Sequence, residues 1–537
     1  MRRVWAPGAG SVELVHGGRR TAMAPEDGGW WSVEVDGAER YAFSVDGGPR
    51  RADPRSCSQP EGPEGPSAAV DLAALPRAPW RGRALEDAVV YELHVGTFSG
   101  EGTFAGVVPH LDHLVSLGVT HVELMPVAEF PGERGWGYDG VNLYAPHHAY
   151  GGPTGLRALV DECHRRGLAV LLDVVYNHLG PSGNYLAEFG PYFTDRYATP
   201  WGAAVNLDGE DSDEVRAFFV DNARMWLETY GIDGLRLDAV HAVFDQSAVH
   251  ILEELAAAGP MIAESDLNDP RLVRDVALGG YGCAAQWSDD FHHALHAVLT
   301  GERTGYYGSF GTLGQLAKAL RAGFVYDGLF QPSRRRRHGR SLPPDVPASR
   351  LLGYAQSHDQ VGNRARGERL STLVGEGRAR MAAALVLCSP FVPMLFQGEE
   401  WGAFTPFQYF TDHPDPELGR AVSEGRRREF AAFGWKPEDV PDPQDPATFE
   451  RSKLDWAEPG TSPHAELLEW HRRLVALRRE HRLHEGGFAS VDVRYDEDGR
   501  WFVLDRGPLK VLCNLGGSAA EIEGVRVGAG DVEVVTG

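Results

Sequence analysis

Four short segments, each at the end of an apolar run, contain carboxylates, and three of them also contain arginine or histidine. They cover residues 173–178, 236–241, 263–266 and 356–360. Strand alternation within the second segment places Arg236 and Asp238 on one face. Carboxylates that share a cavity raise the pKa of at least one of them, so an acid and a base coexist at neutral pH. Glycoside hydrolysis uses such a pair: one carboxylate attacks the anomeric carbon, and a protonated one donates to the leaving oxygen.

These segments belong to a long region in which strand-like runs alternate with helical faces. One such face runs from Leu111 to Leu117 and ends at Gly118. The predicted strands cover residues 89–94, 119–124, 168–175, 232–237, 261–263, 284–287, 351–356 and 391–396. This alternation predicts an α/β fold, a (β/α)8 TIM barrel, in which catalytic residues stand at the carboxyl ends of the strands. We therefore expect Asp238, Glu264 and Asp359 to meet at one barrel mouth.

The chain on either side of this region has the two-residue period of β structure. Residues 1–50 alternate between Asp-Gly turns, which predicts a small N-terminal β-sandwich. Prolines over residues 52–83 predict a loosely packed linker. The same period returns after Leu483 and predicts a small C-terminal β domain. We divide the chain into 1–84 (sandwich and linker), 85–460 (barrel with loop insertions) and 461–537 (helix and C-terminal β domain).

In order and strand position, the four segments resemble the characteristic regions of the α-amylase superfamily, retaining enzymes that act on α-glucans. The resemblance implies that Asp238 is the nucleophile, Glu264 the general acid/base and Asp359 the acid that stabilises the transition state. It also implies contacts with the sugar that is attacked, from Asp173, His178, Arg236 and His358.

Three longer stretches narrow this resemblance. Residues 136–140, 262–270 and 358–364 are similar to the maltooligosyltrehalose trehalohydrolases. Those enzymes hydrolyse the α-1,4 bond next to a terminal trehalose and release trehalose and a maltooligosaccharide. The implied substrates are maltooligosyltrehalose and related α-1,4-glucan oligosaccharides, and the implied functional partner is a maltooligosyltrehalose synthase.

These stretches, together with the segment 236–241, add further substrate-binding positions. Tyr138 offers an aromatic face, which suits the apolar side of a pyranose ring, although core packing would also explain it. His241 fits a substrate contact and a loop role equally well. The remaining positions within these stretches are Gln360 and Asn363.

Composition excludes several other classes of function. Lysine and arginine number 52 against 76 acidic residues, so the net charge is −24, which argues against nucleic-acid and membrane partners. The basic run 334–337 is predicted to be a solvated or salt-bridged loop. The longest apolar stretch, 381–396, is interrupted by prolines and is too short to span a bilayer. Arg2 and Arg3 are followed by no apolar segment, so we expect a cytoplasmic location.

The residues predict no cofactor and no required metal. Asn177 and the acids after the third strand are candidates for a calcium site, as in some relatives, but no complete set of oxygen ligands can be assigned. The five cysteines are scattered and predict neither a disulfide nor a zinc site. His292 and His293 are expected to begin a helix without a catalytic role.

Three alternatives compete with this interpretation. A glucan branching or debranching enzyme of the same superfamily would use a glucan hydroxyl as acceptor or cleave α-1,6 bonds, and sugar analysis would distinguish it. A non-catalytic α-glucan-binding protein usually lacks one of the three acids, which are all present here. A metal-dependent barrel hydrolase is disfavoured, because the first strand offers His94 without a His-x-His pair.

Overall fold

Eight parallel strands close into a barrel in the computed structural model, which describes residues 1–37, 39–75, 77–431 and 435–537. In chain order they are β1 (Val90–Leu93), β2 (His121–Leu124), β3 (Ala169–Val174), β4 (Gly234–Leu237), β5 (Met261–Ala263), β6 (Ala285–Trp287), β7 (Leu351–Tyr354) and β8 (Val392–Phe396). Each strand pairs with the next, and β8 returns to β1. All eight are buried along their whole length, as expected for a parallel sheet covered on both faces. The predicted (β/α)8 barrel is confirmed.

Helices cover the outside of the barrel between most strands. Those that follow β1 to β4 are Leu111–Leu117, Gly152–Arg165, Ser212–Arg224 and Ile251–Ala258. Those that follow β6 and β7 are Asp289–Thr300, Leu313–Ala322, His358–Gly362, Leu370–Val374 and Glu376–Leu387. After β8 come Pro416–Ala431, Pro446–Arg451 and His464–Glu480. The helix before Gly118 ends as predicted, because this glycine adopts a left-handed φ of 94° and its N–H caps the last turn.

The connection between β5 and β6 departs from the predicted alternation. Across residues 264–284 the only helical element is the single 3-10 turn Val276–Leu278. Pro270 and the glycines at 279, 280 and 282 interrupt this stretch, and residues of these types do not sustain an α-helix. The irregular backbone leaves the residues that follow Glu264 free to line the barrel mouth.

The N-terminal residues form two antiparallel sheets. One contains Arg2–Trp5, Trp30–Val33 and Ala24–Pro25, and the other contains Arg19–Ala22, Val12–His16, Arg40–Val45 and Ser67–Ala68. Val4, Leu14 and Phe43 are buried in an apolar core that continues into the barrel. These flanking sheets agree with the predicted β-sandwich, whereas the boundary at residue 84 stays a prediction.

The stretch predicted to be a loose linker is tightly held in its first half. Ser67–Ala68 is a strand of the second sheet. Asp53 is buried and accepts a hydrogen bond of 2.7 Å from the Tyr41 hydroxyl. Arg55 reaches the barrel helix Ser212–Arg224 and forms an ion pair of 2.9 Å with its Asp221. Polar contacts therefore hold this half of the stretch in place, where the prolines had predicted loose packing. Pro76 lies outside the described residues.

The C-terminal residues form a four-stranded antiparallel sheet of Asp492–Asp496, Trp501–Asp505, Leu509–Asn514 and Asp531–Thr536, with a hairpin of Ala520–Ile522 and Val525–Val527. Helix His464–Glu480 buries Leu467, Trp470 and Leu474 in the core shared with this sheet. In the described part of the chain, no helix combines the length and apolarity that a membrane crossing requires.

Candidate active site

One buried arginine connects the carboxylates of three neighbouring strands. Arg236 lies on β4 beside Asp173 of β3, its register partner. Its Nη1 lies 2.7 Å from Asp173 Oδ2 and 2.8 Å from Asp238 Oδ1, and its Nη2 lies 2.9 Å from Glu264 Oε2. The predicted nucleophile and acid/base are therefore brought to a single guanidinium, which is itself only 1% exposed.

Asp238 is held as an anion. Asn177 Nδ2 donates to its backbone carbonyl and to its Oδ2, at 2.8 and 2.7 Å. Burial raises the pKa of Asp238, but the charges of Arg236 and His178 and the hydrogen bond from Asn177 outweigh burial and bring it below its usual range. The Asn177 carboxamide oxygen, the side-chain atom that would bind calcium, lies 2.5 Å from His178 Nδ1.

Glu264 is in the opposite state. Its carboxyl is buried close to Asp238 and Asp359, which raises its pKa well above its usual range despite the attraction of Arg236. The residue after Asp238, Ala239, adopts a left-handed φ of 40°, and its N–H donates to Glu264 Oε2 at 2.7 Å. The pKa values of two neighbouring carboxyls are thus shifted in opposite directions, which is the arrangement that acid-base catalysis requires.

Asp359 shares a cavity of about 570 Å3 with Glu264. It lies in the helix His358–Gly362 that follows β7, and Asn363 Nδ2 donates to its Oδ1 at 2.6 Å. His241 and Gln360 also line the cavity. Asp238 is not among the residues that line this cavity. It is linked to Glu264, which does line it, through their shared contacts with Arg236.

Gln360 and Asn363 each have a structural partner as well. The Gln360 carboxamide oxygen accepts from the backbone and side chain of Ser357, and so closes the first turn of its helix. Asn363 Oδ1 accepts from Arg426 Nη1 at 2.9 Å. Arg426 was not predicted, and nothing in its local sequence distinguishes it from the other arginines of its helix. The substrate-binding roles of Gln360 and Asn363 stay predictions.

Tyr138 connects the predicted sugar-binding residues. Its hydroxyl donates to Asp173 Oδ2 at 2.6 Å and lies 2.8 Å from His358 Nε2. His358 Nδ1 lies 2.5 Å from Glu92, whose charge raises the histidine pKa against the lowering effect of burial. His178 Nε2 contacts the Tyr138 carbonyl at 3.1 Å. The structure thus brings all the residues predicted for the attacked sugar together around Arg236.

We expect Tyr138→Phe to lower kcat/KM by roughly 10-fold, about 1.4 kcal/mol, because it removes one hydrogen bond to a carboxylate that positions Arg236. KM should change little, since the aromatic face is retained. Steady-state kinetics of Tyr138→Phe beside Tyr138→Ala separate the two contributions, because only the alanine variant also loses the face. An unchanged kcat in Tyr138→Phe would contradict the positioning role of the hydroxyl.

Most of the other residues that line the cavity were not predicted from the sequence. These lining residues include Asp266, Asp289, Asp290, His293, Tyr306 and Arg334. Arg334 forms an ion pair with Asp266, so the basic run contains a salt-bridged residue as predicted, but one that faces the cavity. His293, expected to have no catalytic role, also lines the cavity. Burial raises the pKa of Asp289 to about 7, and Tyr354 donates to it at 2.5 Å.

Fold and site together define a glycoside hydrolase of the α-amylase superfamily. Residues 85–198 match the family described as alpha amylase, catalytic domain. A solved structure described as a putative alpha amylase from Salmonella typhimurium has a TM-score of 0.92 and 37% sequence identity to this chain. The match covers 99% of this chain and 96% of that chain.

Full-length relatives narrow the assignment. The malto-oligosyltrehalose trehalohydrolase of Arthrobacter ramosus is 54% identical over 95% of this chain and 92% of its own length. That of Saccharolobus solfataricus is 46% identical over 94% of this chain and 88% of its own length. The chain belongs to the malto-oligosyltrehalose trehalohydrolase family, as the resemblance of its barrel segments indicated.

Proposed function

We propose that this chain hydrolyses the α-1,4-glucosidic bond next to the terminal trehalose of maltooligosyltrehalose and releases trehalose and a maltooligosaccharide. The observation that carries the proposal is the guanidinium of Arg236 shared by Asp238, whose pKa is lowered, and Glu264, whose pKa is raised. Family membership supplies the substrate, and the site supplies the chemistry.

The reaction proceeds by double displacement with retention. Asp238 attacks the anomeric carbon and forms a glycosyl ester, while Glu264 transfers its proton to the oxygen of the departing trehalose. Glu264, now ionised, takes a proton from a water molecule. That water attacks the ester, restores Asp238 and releases the maltooligosaccharide. Each proton and each bond is then accounted for, and both carboxyls return to their starting states.

The other residues hold the sugar and its charge. Asp359 is the carboxylate that stabilises the positive charge at the anomeric carbon in the transition state. Asp173, His178 and His358 contact the hydroxyls of the attacked sugar, and Tyr138 stacks on its apolar face. Arg236 keeps Asp238 ionised before the attack. The support for these roles is that Asp173 contacts the Arg236 guanidinium, Tyr138 joins Asp173 to His358, and Asp359 shares a cavity with Glu264.

We expect kcat/KM to have a bell-shaped dependence on pH. The first step requires an ionised Asp238, so activity falls on the acid side as pH drops through a pKa below the usual aspartate value. It also requires a protonated Glu264, so activity falls on the alkaline side as pH rises through a pKa well above the usual glutamate value. Initial rates between pH 2.5 and 9, with circular dichroism at each pH to confirm that the protein stays folded, measure both limbs. A rate that keeps rising through the alkaline range in folded protein would contradict this protonation of Glu264.

Product analysis tests the overall proposal. Incubation with maltopentaosyl-trehalose is expected to yield free trehalose and maltopentaose, with the newly formed reducing end initially in the α configuration. New α-1,6 branch points would instead identify the branching alternative, and cleavage confined to α-1,6 bonds of a branched glucan would identify the debranching one. Binding of the sugar without any product would identify a non-catalytic α-glucan-binding protein.

Two further parts of the proposal concern the cellular setting. A substrate that ends in trehalose requires a synthase that converts the reducing end of a maltooligosaccharide into a 1,1-linked glucose, and we propose a functional pairing with such an enzyme. We also propose a cytoplasmic location, which the five free cysteines support, because thiols stay reduced in that compartment. The net charge of −24 supports the expectation that neither nucleic acid nor membrane is a partner.

A further inference from the structure

Three potential metal ligands converge beside the barrel, away from the catalytic carboxylates. Glu129 Oε1 lies 3.1 Å from His147 Nδ1 and 2.8 Å from His148 Nδ1. One potential ligand atom from each of the three residues lies within 4.8 Å of the other two. Glu129 and His147 have fully buried side chains, whereas His148 is 27% exposed. Two of the three ligands are therefore enclosed by protein, and the third, His148, is accessible from solvent.

We propose that Glu129, His147 and His148 bind a divalent transition-metal ion of the Zn2+ class. Two imidazole nitrogens and one carboxylate oxygen are a ligand set that suits Zn2+, whereas Ca2+ and Mg2+ require oxygen ligands. Ligands about 2.1 Å from a tetrahedral Zn2+ lie roughly 3.4 Å apart. The two distances from Glu129 Oε1 to the histidine nitrogens, 3.1 and 2.8 Å, are somewhat shorter than this and would open when the ion binds. Each imidazole then binds through Nδ1 and carries its proton on Nε2.

The backbone around the cluster holds the ligands in place. Glu129 ends the short strand Ala128–Glu129, which pairs with Asn142–Pro146, and His147 and His148 follow directly after that partner strand. His147 N donates to the Val127 carbonyl at 2.7 Å, and its ring stacks on Phe130 with centroids 3.8 Å apart. The ligands are therefore positioned by a strand pair and a ring stack, which lowers the cost of ordering them around an ion.

A second, independent feature provides the route for a cation. His148 lines an open cavity of about 480 Å3, whose other lining side chains include Glu61, Glu64, Glu133 and Asp415. Four carboxylates at the entrance raise the local concentration of divalent cations. The exposed face of His148 leaves the fourth coordination position on the cavity side, where water completes the tetrahedron.

The location gives the ion a structural role. Residues 130–141 form the loop between Glu129 and the strand that precedes His147, and this loop carries Tyr138. An ion bound to both ends would fasten the base of the loop whose Tyr138 hydroxyl donates to Asp173. Metal binding is therefore expected to stabilise the folded protein, and the test depends on binding rather than on catalysis.

The experiment uses the full chain after EDTA treatment and gel filtration. Calorimetric titration with ZnCl2 should show one equivalent bound at this site and a rise in Tm of several degrees, whereas CaCl2 and MgCl2 should produce neither. His148→Ala should weaken the site at least 10-fold and abolish the rise in Tm. His113→Ala is the matched control, because His113 contacts a single carboxylate, Glu400, at 2.9 Å, and it should keep the zinc response.

Two results would overturn the proposal. One is equal zinc binding by the wild-type protein and His148→Ala, and the other is an unchanged Tm of the wild-type protein at saturating ZnCl2. If circular dichroism shows that His148→Ala does not fold, His148→Gln keeps a polar side chain at the position but removes the imidazole. Every measurement in this test reports zinc binding or stability. A negative result would therefore not contradict the proposed hydrolysis, and absence of trehalose release would not contradict the proposed zinc site.

Discussion

Asp238→Asn is expected to lower kcat for trehalose release by at least about 10^4-fold. An asparagine amide is nearly the same size as the carboxylate, and its single oxygen can still accept from either Arg236 or Asn177. It does not attack the anomeric carbon to form a stable ester. The loss should appear in kcat, because the sugar still fits the site. Single-turnover release of trehalose from maltopentaosyl-trehalose measures it directly.

Controls separate this chemical loss from unfolding. Asp221→Asn changes an acid of the outer helix Ser212–Arg224 that is paired with Arg55, and it should keep kcat within about twofold. The Tm of Asp238→Asn should stay near that of the wild-type protein, because its neighbours remain hydrogen-bonded. Asp238→Ala guards against deamidation of the asparagine back to aspartate. Substantial kcat in both Asp238 variants would show that another group is the nucleophile.

Glu264→Gln is expected to lower kcat for the natural substrate by about 10^2- to 10^4-fold, since general acid-base catalysis contributes on that scale. The loss should depend on the leaving group. Trehalose needs a proton as it departs, whereas fluoride does not, so a maltooligosyl fluoride should still form the ester with Asp238. Its hydrolysis then slows, because the water that resolves the ester has lost its general base.

Azide provides the decisive comparison for Glu264→Gln. Azide is a nucleophile that needs no deprotonation, so it should accelerate turnover of the fluoride and yield the α-glycosyl azide, with the configuration retained. Asp238→Asn should not give this retained product, because it forms no glycosyl ester. A Glu264→Gln enzyme with a full rate on maltopentaosyl-trehalose, or with no response to azide, would contradict the assignment of Glu264.

The barrel could be predicted because its signals are local. The run predicted at 168–175 is observed as Ala169–Val174, and that predicted at 391–396 as Val392–Phe396. Such strands are buried on both faces, so each is a short, nearly uninterrupted apolar run that can be recognised without its neighbours. The connection at 264–284 was misjudged, because a regular alternation was extended over a stretch in which Pro270 and three glycines prevent a helix.

Partners across the fold could not be predicted. Arg426 reaches Asn363 from a helix 63 residues further along the chain, and Arg334 pairs with Asp266 across 68 residues. The residues around a charged side chain in an amphipathic helix or a basic loop do not indicate which distant residue it contacts in the folded protein. The same holds for Asp289, which is half-buried beside other acids only because the barrel closes.

The order of residues along the chain was enough to determine which side chains stand at the strand ends, because a two-residue period and a strand boundary are properties of a few neighbouring residues. Asp238, Glu264 and Asp359 were identified in this way. Tertiary structure alone decided their chemical states. The pKa of Asp238 is lowered and that of Glu264 is raised because burial, the shared Arg236 and the surrounding carboxylates act over distances set by the folded barrel. Those interactions have no counterpart in a linear sequence.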